Sequence, residues 1–149
     1  MNEENLNPSV WHYALAYLLW AISVALSVIN LLVWRTSLTI ALGVTAWDRY
    51  FEHAINQFGF LIMAIVVLSV VVGVEHYYRT GVPKNRLWAR CLLVTLWEFV
   101  FIALAHLIRF GGELILELPT SSLPFVILEV VGCVALFWLY RRVKNATTF

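Results

Sequence analysis

Four apolar segments, each close to the length needed to cross a bilayer, leave this chain few ways to fold. A helix needs about 20 predominantly apolar residues to cross a ~30 Å hydrocarbon core. Trp11–Trp34 and Ala54–Val74 contain no Asp, Glu, Lys or Arg. Leu87–Phe110 is broken in its middle by Glu98, and Leu123–Tyr140 by Glu129 alone. In lipid every backbone polar group must be satisfied internally, which admits helices and closed barrels. Segments of this length and continuity fit helices. The sequence therefore predicts an all-α polytopic membrane protein, four transmembrane helices in an up-down bundle. The expected spans are about 11–34, 54–78, 87–109 and 122–141, forming one domain over residues 1–149.

The composition agrees. Of 149 residues, 62% are hydrophobic and 13% charged, and the mean hydropathy is +0.82. Soluble domains carry about 25% charged residues, and a core of this size could not hide so much apolar surface. A net charge of +1 argues against nucleic acid as a partner. Cys91 and Cys133 both lie inside apolar runs and read as small buried hydrophobes, with no metal-ligand spacing. The first ten residues hold Glu3 and Glu4 and no basic residue, unlike a signal peptide. The first apolar run is therefore expected to be a retained span.

The linkers set the topology. Arg79–Arg86, with Gly81 and Pro83, reads as a tight basic turn making spans two and three a hairpin. Gly111–Ser122 reads as a short acidic loop. In Arg35–His53, Leu38, Ile40, Leu42 and Val44 alternate with smaller or polar residues at a strand period. An open strand cannot stand in lipid, so a short interfacial or re-entrant segment is expected there. The turn and the C-terminal tail hold Arg79, Lys84, Arg86, Arg90, Arg141, Arg142 and Lys144, against Arg35, Arg49 and Arg109 on the other side. The positive-inside rule then puts both termini in the cytoplasm, and the membrane is expected to be the plasma (inner) membrane. The Asn145-Ala-Thr147 sequon would face the cytoplasm and carry no glycan.

Glu98 and Glu129 are the sharpest functional clue. A carboxylate at membrane depth is costly and faces a protein interior, a partner or a pathway. Thr95, Glu98, Ala105 and Arg109 share a face of span three, and Glu129, Gly132 and Cys133 a face of span four. At 1.5 Å per residue, Glu98 lies about 16 Å from one edge and Glu129 about 10 Å from the other. At such similar depths the two are expected to face each other, share a proton and form a proton or ion pathway with Thr95, or a contact between helices. Span one adds a polar stripe of Ser23, Ser27 and Asn30. The histidines pair by depth: His12 with His76, and His53 with His106. Imidazole pairs at opposite faces of a four-helix bundle fit a haem- or quinone-binding redox subunit. There is no C-x-x-C-H attachment motif, no catalytic signature and no metal cluster, which points away from an enzyme.

The hairpin running Glu75-His-Tyr-Tyr-Arg-Thr-Gly81 into Leu87-Trp-Ala-Arg90 resembles the phosphate-starvation-inducible E family of small four-span membrane proteins. The resemblance covers about a third of the chain. It implies a small inner-membrane protein of similar helix layout and transfers no site residues. Polar stripes on spans one, three and four exceed what one small interior is expected to shelter. The leading expectation is a non-catalytic accessory or scaffolding subunit, or a homo-oligomer, partnered by membrane lipid and another membrane polypeptide. The proton or ion path through Glu98 and Glu129 and the redox subunit are the alternatives.

In a variant lacking the native cysteines, single cysteines at Lys84 and Asn145 should react with an impermeant thiol reagent only from the cytoplasmic side. One at Glu117 should react only from outside. Labelling of position 84 from outside would reverse the topology.

Overall fold

The computed structural model describes residues 10–45, 47–84 and 86–146. Four long helices account for nearly all of them: α1 (Val10–Gly43), α2 (Arg49–Arg79), α3 (Leu87–Ile115) and α4 (Leu123–Ala146). Each is long and apolar enough to cross a membrane. The chain is an all-α, four-helix membrane bundle. Glu3, Glu4 and Thr147 of the sequon lie outside the described residues.

The packing is sequential across the bundle. α1 lies between α2 and α3, α4 packs on α3, and α2 meets α3 only slightly. The solvent inverts the usual core. Among the described residues, more of the buried side chains are polar (Ser23, Ser27, Asn30, Ser37, Glu98, Glu113, Ser122, Glu129) than apolar. Most large apolar side chains point outward, as they do when the surroundings are hydrocarbon. An apolar cluster of Ala16, Leu19, Tyr78, Val82 and Leu87 sits where α2 turns into α3. That turn is a short 3-10 segment, Val82–Lys84. Arg90 reaches back across it, donating to Tyr77 O and to Thr80 Oγ1 and stacking on the Tyr77 ring. A Cβ at Gly81 would stand 2.7 Å from Arg90 Cδ, so glycine is what lets the guanidinium pass.

The expected interfacial or re-entrant segment after Trp34 is not there. α1 runs unbroken through Arg35 to Gly43. Thr36, Ser37 and Thr39 return their hydroxyls to the carbonyls of Leu32, Val33 and Arg35, so none competes with the helix. The alternation has a different cause. Residues two apart on a helix point about 200° apart. Here Leu38 lies beside Gly59 of α2, and Ile40 beside Gly112 of α3. A helix held between two neighbours buries opposite faces and imitates a strand over a few residues.

The loop placed at Gly111–Ser122 is also shorter than expected. α3 continues through Gly111 and Gly112 to Ile115, and only then does the chain turn. Leu118 N–H bonds Glu113 O at 2.9 Å and Glu117 N–H bonds Leu114 O at 3.4 Å. This is a Schellman closure, and its left-handed position, φ 54°, is held by Glu117. Gly112 serves packing instead, since a Cβ there would come within 2.6 Å of Ile40 Cγ2.

Two substitutions should therefore move stability in opposite directions. Glu117→Gly relieves a left-handed non-glycine residue and should stabilise by about 1 kcal/mol. Gly112→Ala forces α1 and α3 apart against a stiff branched side chain and should destabilise by about 1–3 kcal/mol. Reversible unfolding in mixed detergent reads both.

Candidate functional site

α3 is the helix on which the polar groups converge. Residues seven apart return to nearly the same face, and adjacent residues differ by about 100°. Glu98, Ala105 and Gly112 form one such row, and it faces α1. Phe99, His106 and Glu113 form the next, and it faces α4. The contacts follow these rows. Ile40 of α1 fills the space over Gly112, and Phe99 packs within 3.0 Å of where a Cβ on Gly132 of α4 would be.

On the α1 side, Ser27 Oγ donates to Glu98 Oε1 at 3.1 Å, and Asn30 Nδ2 donates to the Glu98 carbonyl at 3.1 Å. One turn earlier on α1, Ser23 Oγ is 3.0 Å from Tyr78 Oη of α2, a side chain only 1% exposed. The serine–asparagine stripe is thus buried inside the bundle, with a phenol at one end and a carboxyl near its middle. Glu98 is 7% exposed, yet its Oε2 has no hydrogen-bond partner, and neither does Asn30 Oδ1.

On the α4 side, His106 Nδ1 lies 2.6 Å from Glu129 Oε1. The imidazole stacks on Phe125, ring centroids 5.5 Å apart. Glu129 is 6% exposed and its Oε2 is also unpartnered. Two turns beyond His106 stands a third buried carboxylate with a different environment. Glu113 Oε1 accepts from Arg109 Nε at 2.8 Å and Ser121 Oγ at 3.0 Å. Its Oε2 accepts from Ser122 N at 3.2 Å and Ser122 Oγ at 2.6 Å. Glu113 is saturated and ties the start of α4 to the end of α3. Glu98 and Glu129 each leave one oxygen idle, and that difference singles them out.

The structure brings Glu98 to Ser27 and Asn30, and Glu129 to His106, with no hydrogen bond between the two carboxylates. Thr95 is half-buried one turn before Glu98, and its side chain makes no hydrogen bond among the described residues. His12, His53 and His76 are exposed. His53 Nε2 lies 2.9 Å from Gln57 Nε2, and His106 belongs to Glu129. Among the described residues no three His, Cys, Asp or Glu side chains cluster as metal ligands would.

Sequence reasoning missed the His106–Glu129 pair and Tyr78. The first had a signal. In an antiparallel hairpin, partners lie equally far from the turn. His106 and Glu129 are equidistant from Glu117–Leu118, as are Glu113 and Ser122. Tyr78 had none, because a tyrosine at a span end also reads as an interfacial aromatic.

No family model, curated protein or solved structure matches the chain.

Removing one member of a buried, hydrogen-bonded pair strands the other. His106→Ala should destabilise the bundle by about 3–5 kcal/mol, while His106→Leu with Glu129→Leu should restore most of that loss. A double-mutant cycle in detergent measures the coupling. Independent, additive losses would mean that the pair does not hold α4.

Proposed function

We propose that the protein carries protons through the membrane, with Glu98 and Glu129 as the groups that take them up and release them. The observation that carries this reading is the pair of idle oxygens. A carboxyl kept only for packing has its acceptors filled, as Glu113 has, whereas Glu98 and Glu129 keep one buried oxygen each with no partner. An idle oxygen can hold a proton or meet a water without breaking an existing bond.

The neighbouring groups suit the same task. Hydroxyls both donate and accept, so Ser27 can pass a proton to or from Glu98 by rotating, as can the Tyr78–Ser23 pair below it. Imidazole takes a proton on one nitrogen and releases it from the other, and His106 stands beside Glu129. Along α3, Glu98 and His106 are about 12 Å apart in rise and on adjacent faces, a gap that water must bridge. In the orientation inferred from Lys and Arg, Tyr78 and Ser23 lie toward the cytoplasm and His106 toward the outside. The internal burial of Ser23, Ser27, Asn30, Glu98 and Glu129 also supports this reading over one in which a partner covers these stripes.

A second reading rests on α2, whose apolar window has no buried residue and is open to lipid or another chain. In that reading the protein is an accessory subunit or homo-oligomer.

The test is reconstitution into liposomes loaded with a pH-sensitive dye, driven by a potassium diffusion potential. Wild-type protein should acidify or alkalinise the lumen according to the sign of the potential. Glu98→Gln should lower the flux to that of protein-free liposomes, with helicity unchanged by circular dichroism, and Ser27→Ala should slow it. Wild-type protein that moves no protons would overturn the proton path and leave the accessory reading, whose own readout is a co-purifying polypeptide.

A further inference from the structure

At the end of the bundle opposite Glu113, between the start of α1 and the end of α2, lies an open cleft of about 710 Å³. Tyr13, Tyr17, His76, Arg79, Thr80 and Pro83 line it. Beside it Tyr17 and Arg79, with Trp20, Glu75 and Tyr78, close on a crevice too tight to admit a water. Glu75 and Arg79 stand four apart on α2, the spacing at which a carboxylate and a guanidinium ordinarily pair. They do not pair. Among the described residues neither side chain makes a hydrogen bond or ion pair, and the His76 imidazole also has no partner. The neighbouring cation, Arg90, is engaged with Tyr77 and Thr80.

An unpaired cation on the cleft and an unpaired anion one helical turn before it on α2 match a ligand that carries both charges at fixed separation. The depth narrows the choice. Val10 opens α1 and Arg79 closes α2, so the cleft sits at the level of lipid headgroups. Tyrosine and tryptophan favour that level. From these juxtaposed charges we propose that the cleft binds the headgroup of an amine-bearing zwitterionic phospholipid, a phosphatidylethanolamine. Arg79 and His76 take the phosphodiester oxygens. Glu75 accepts from the ammonium at the mouth of the crevice, beside the Tyr17 and Trp20 rings, whose faces favour a cation. A phosphatidylglycerol would bring its phosphate to Arg79 and leave Glu75 without a counter-charge. A phosphatidylcholine would bring a bulky ammonium with no N–H to donate. The assignment is independent of the proton path, since neither Glu98 nor Glu129 takes part.

Native mass spectrometry of the detergent-purified protein tests it, titrating dioleoyl phosphatidylethanolamine, phosphatidylglycerol and phosphatidylcholine separately. The wild type should favour phosphatidylethanolamine by about tenfold, the value of one charge-assisted hydrogen bond at a partly open site. Glu75→Gln should still bind phospholipid but lose the preference, while Glu75→Asp keeps part of it. Arg79→Gln should weaken all three. Circular dichroism and a monodisperse elution profile establish that each variant is folded. Equal binding of the three lipids by the wild type, a preference for phosphatidylglycerol, or a preference that survives in Glu75→Gln would each overturn the assignment.

Discussion

The hydrogen bond between Ser27 and Glu98, with Asn30 closing on the Glu98 backbone, is the contact on which the bundle turns. Hydrocarbon offers these groups no partner, so each must find one inside the protein. Leucine in a membrane gains little by leaving lipid for a protein interior, because both are apolar. Polar side chains therefore decide which helix faces meet. This is why the buried positions of α1 are mainly serines and an asparagine while isoleucines, valines and leucines cover the outside.

α3 carries two such decisions on adjacent faces. Its Glu98–Ala105–Gly112 row accepts α1 through a hydrogen bond, a small residue and a glycine. Its Phe99–His106–Glu113 row accepts α4 through a stacked, bonded imidazole and a saturated carboxylate. α4 packs mainly on α3, so its position depends on His106–Glu129 and on Glu113 gripping Ser121 and Ser122. The second clamp has every acceptor filled. The first does not, and neither does Glu98. The groups most suited to proton handling are thus also those that hold the helices together, and any change in their protonation acts on both.

The end near Tyr78 differs. Apolar packing joins the Tyr78–Ser23 hydrogen bond there, with Leu19, Val82 and Leu87 in one cluster with the phenol. Charges lie around this cluster rather than in it. Arg90 braces the turn, His76 and Arg79 line an open cleft, and Glu75 stands one turn before Arg79 on α2. A firm apolar base beneath a set of unpaired charges can present them at a fixed spacing.

Hydropathy alone determined that the chain is four apolar helices and roughly how deep each polar residue lies, because span length and rise per residue are properties of any helix in lipid. It placed Glu98 and Glu129 at similar depths and picked out Ser23, Ser27 and Asn30 as a stripe. Depth says nothing about azimuth. Whether Glu98 faces Glu129 or Ser27 depends on how α3 is rotated between its neighbours, and apolar residues facing lipid and protein look alike in sequence. The same blindness turned the end of α1 into an apparent strand, since Leu38 and Ile40 alternate between two packed neighbours. It also began the acidic loop at Gly111, although α3 runs on to Ile115 and Gly112 serves contact with Ile40. Only the tertiary structure could pair His106 with Glu129 and leave one oxygen of each mid-membrane carboxyl idle, because rotation and register are set by several helices packing at once.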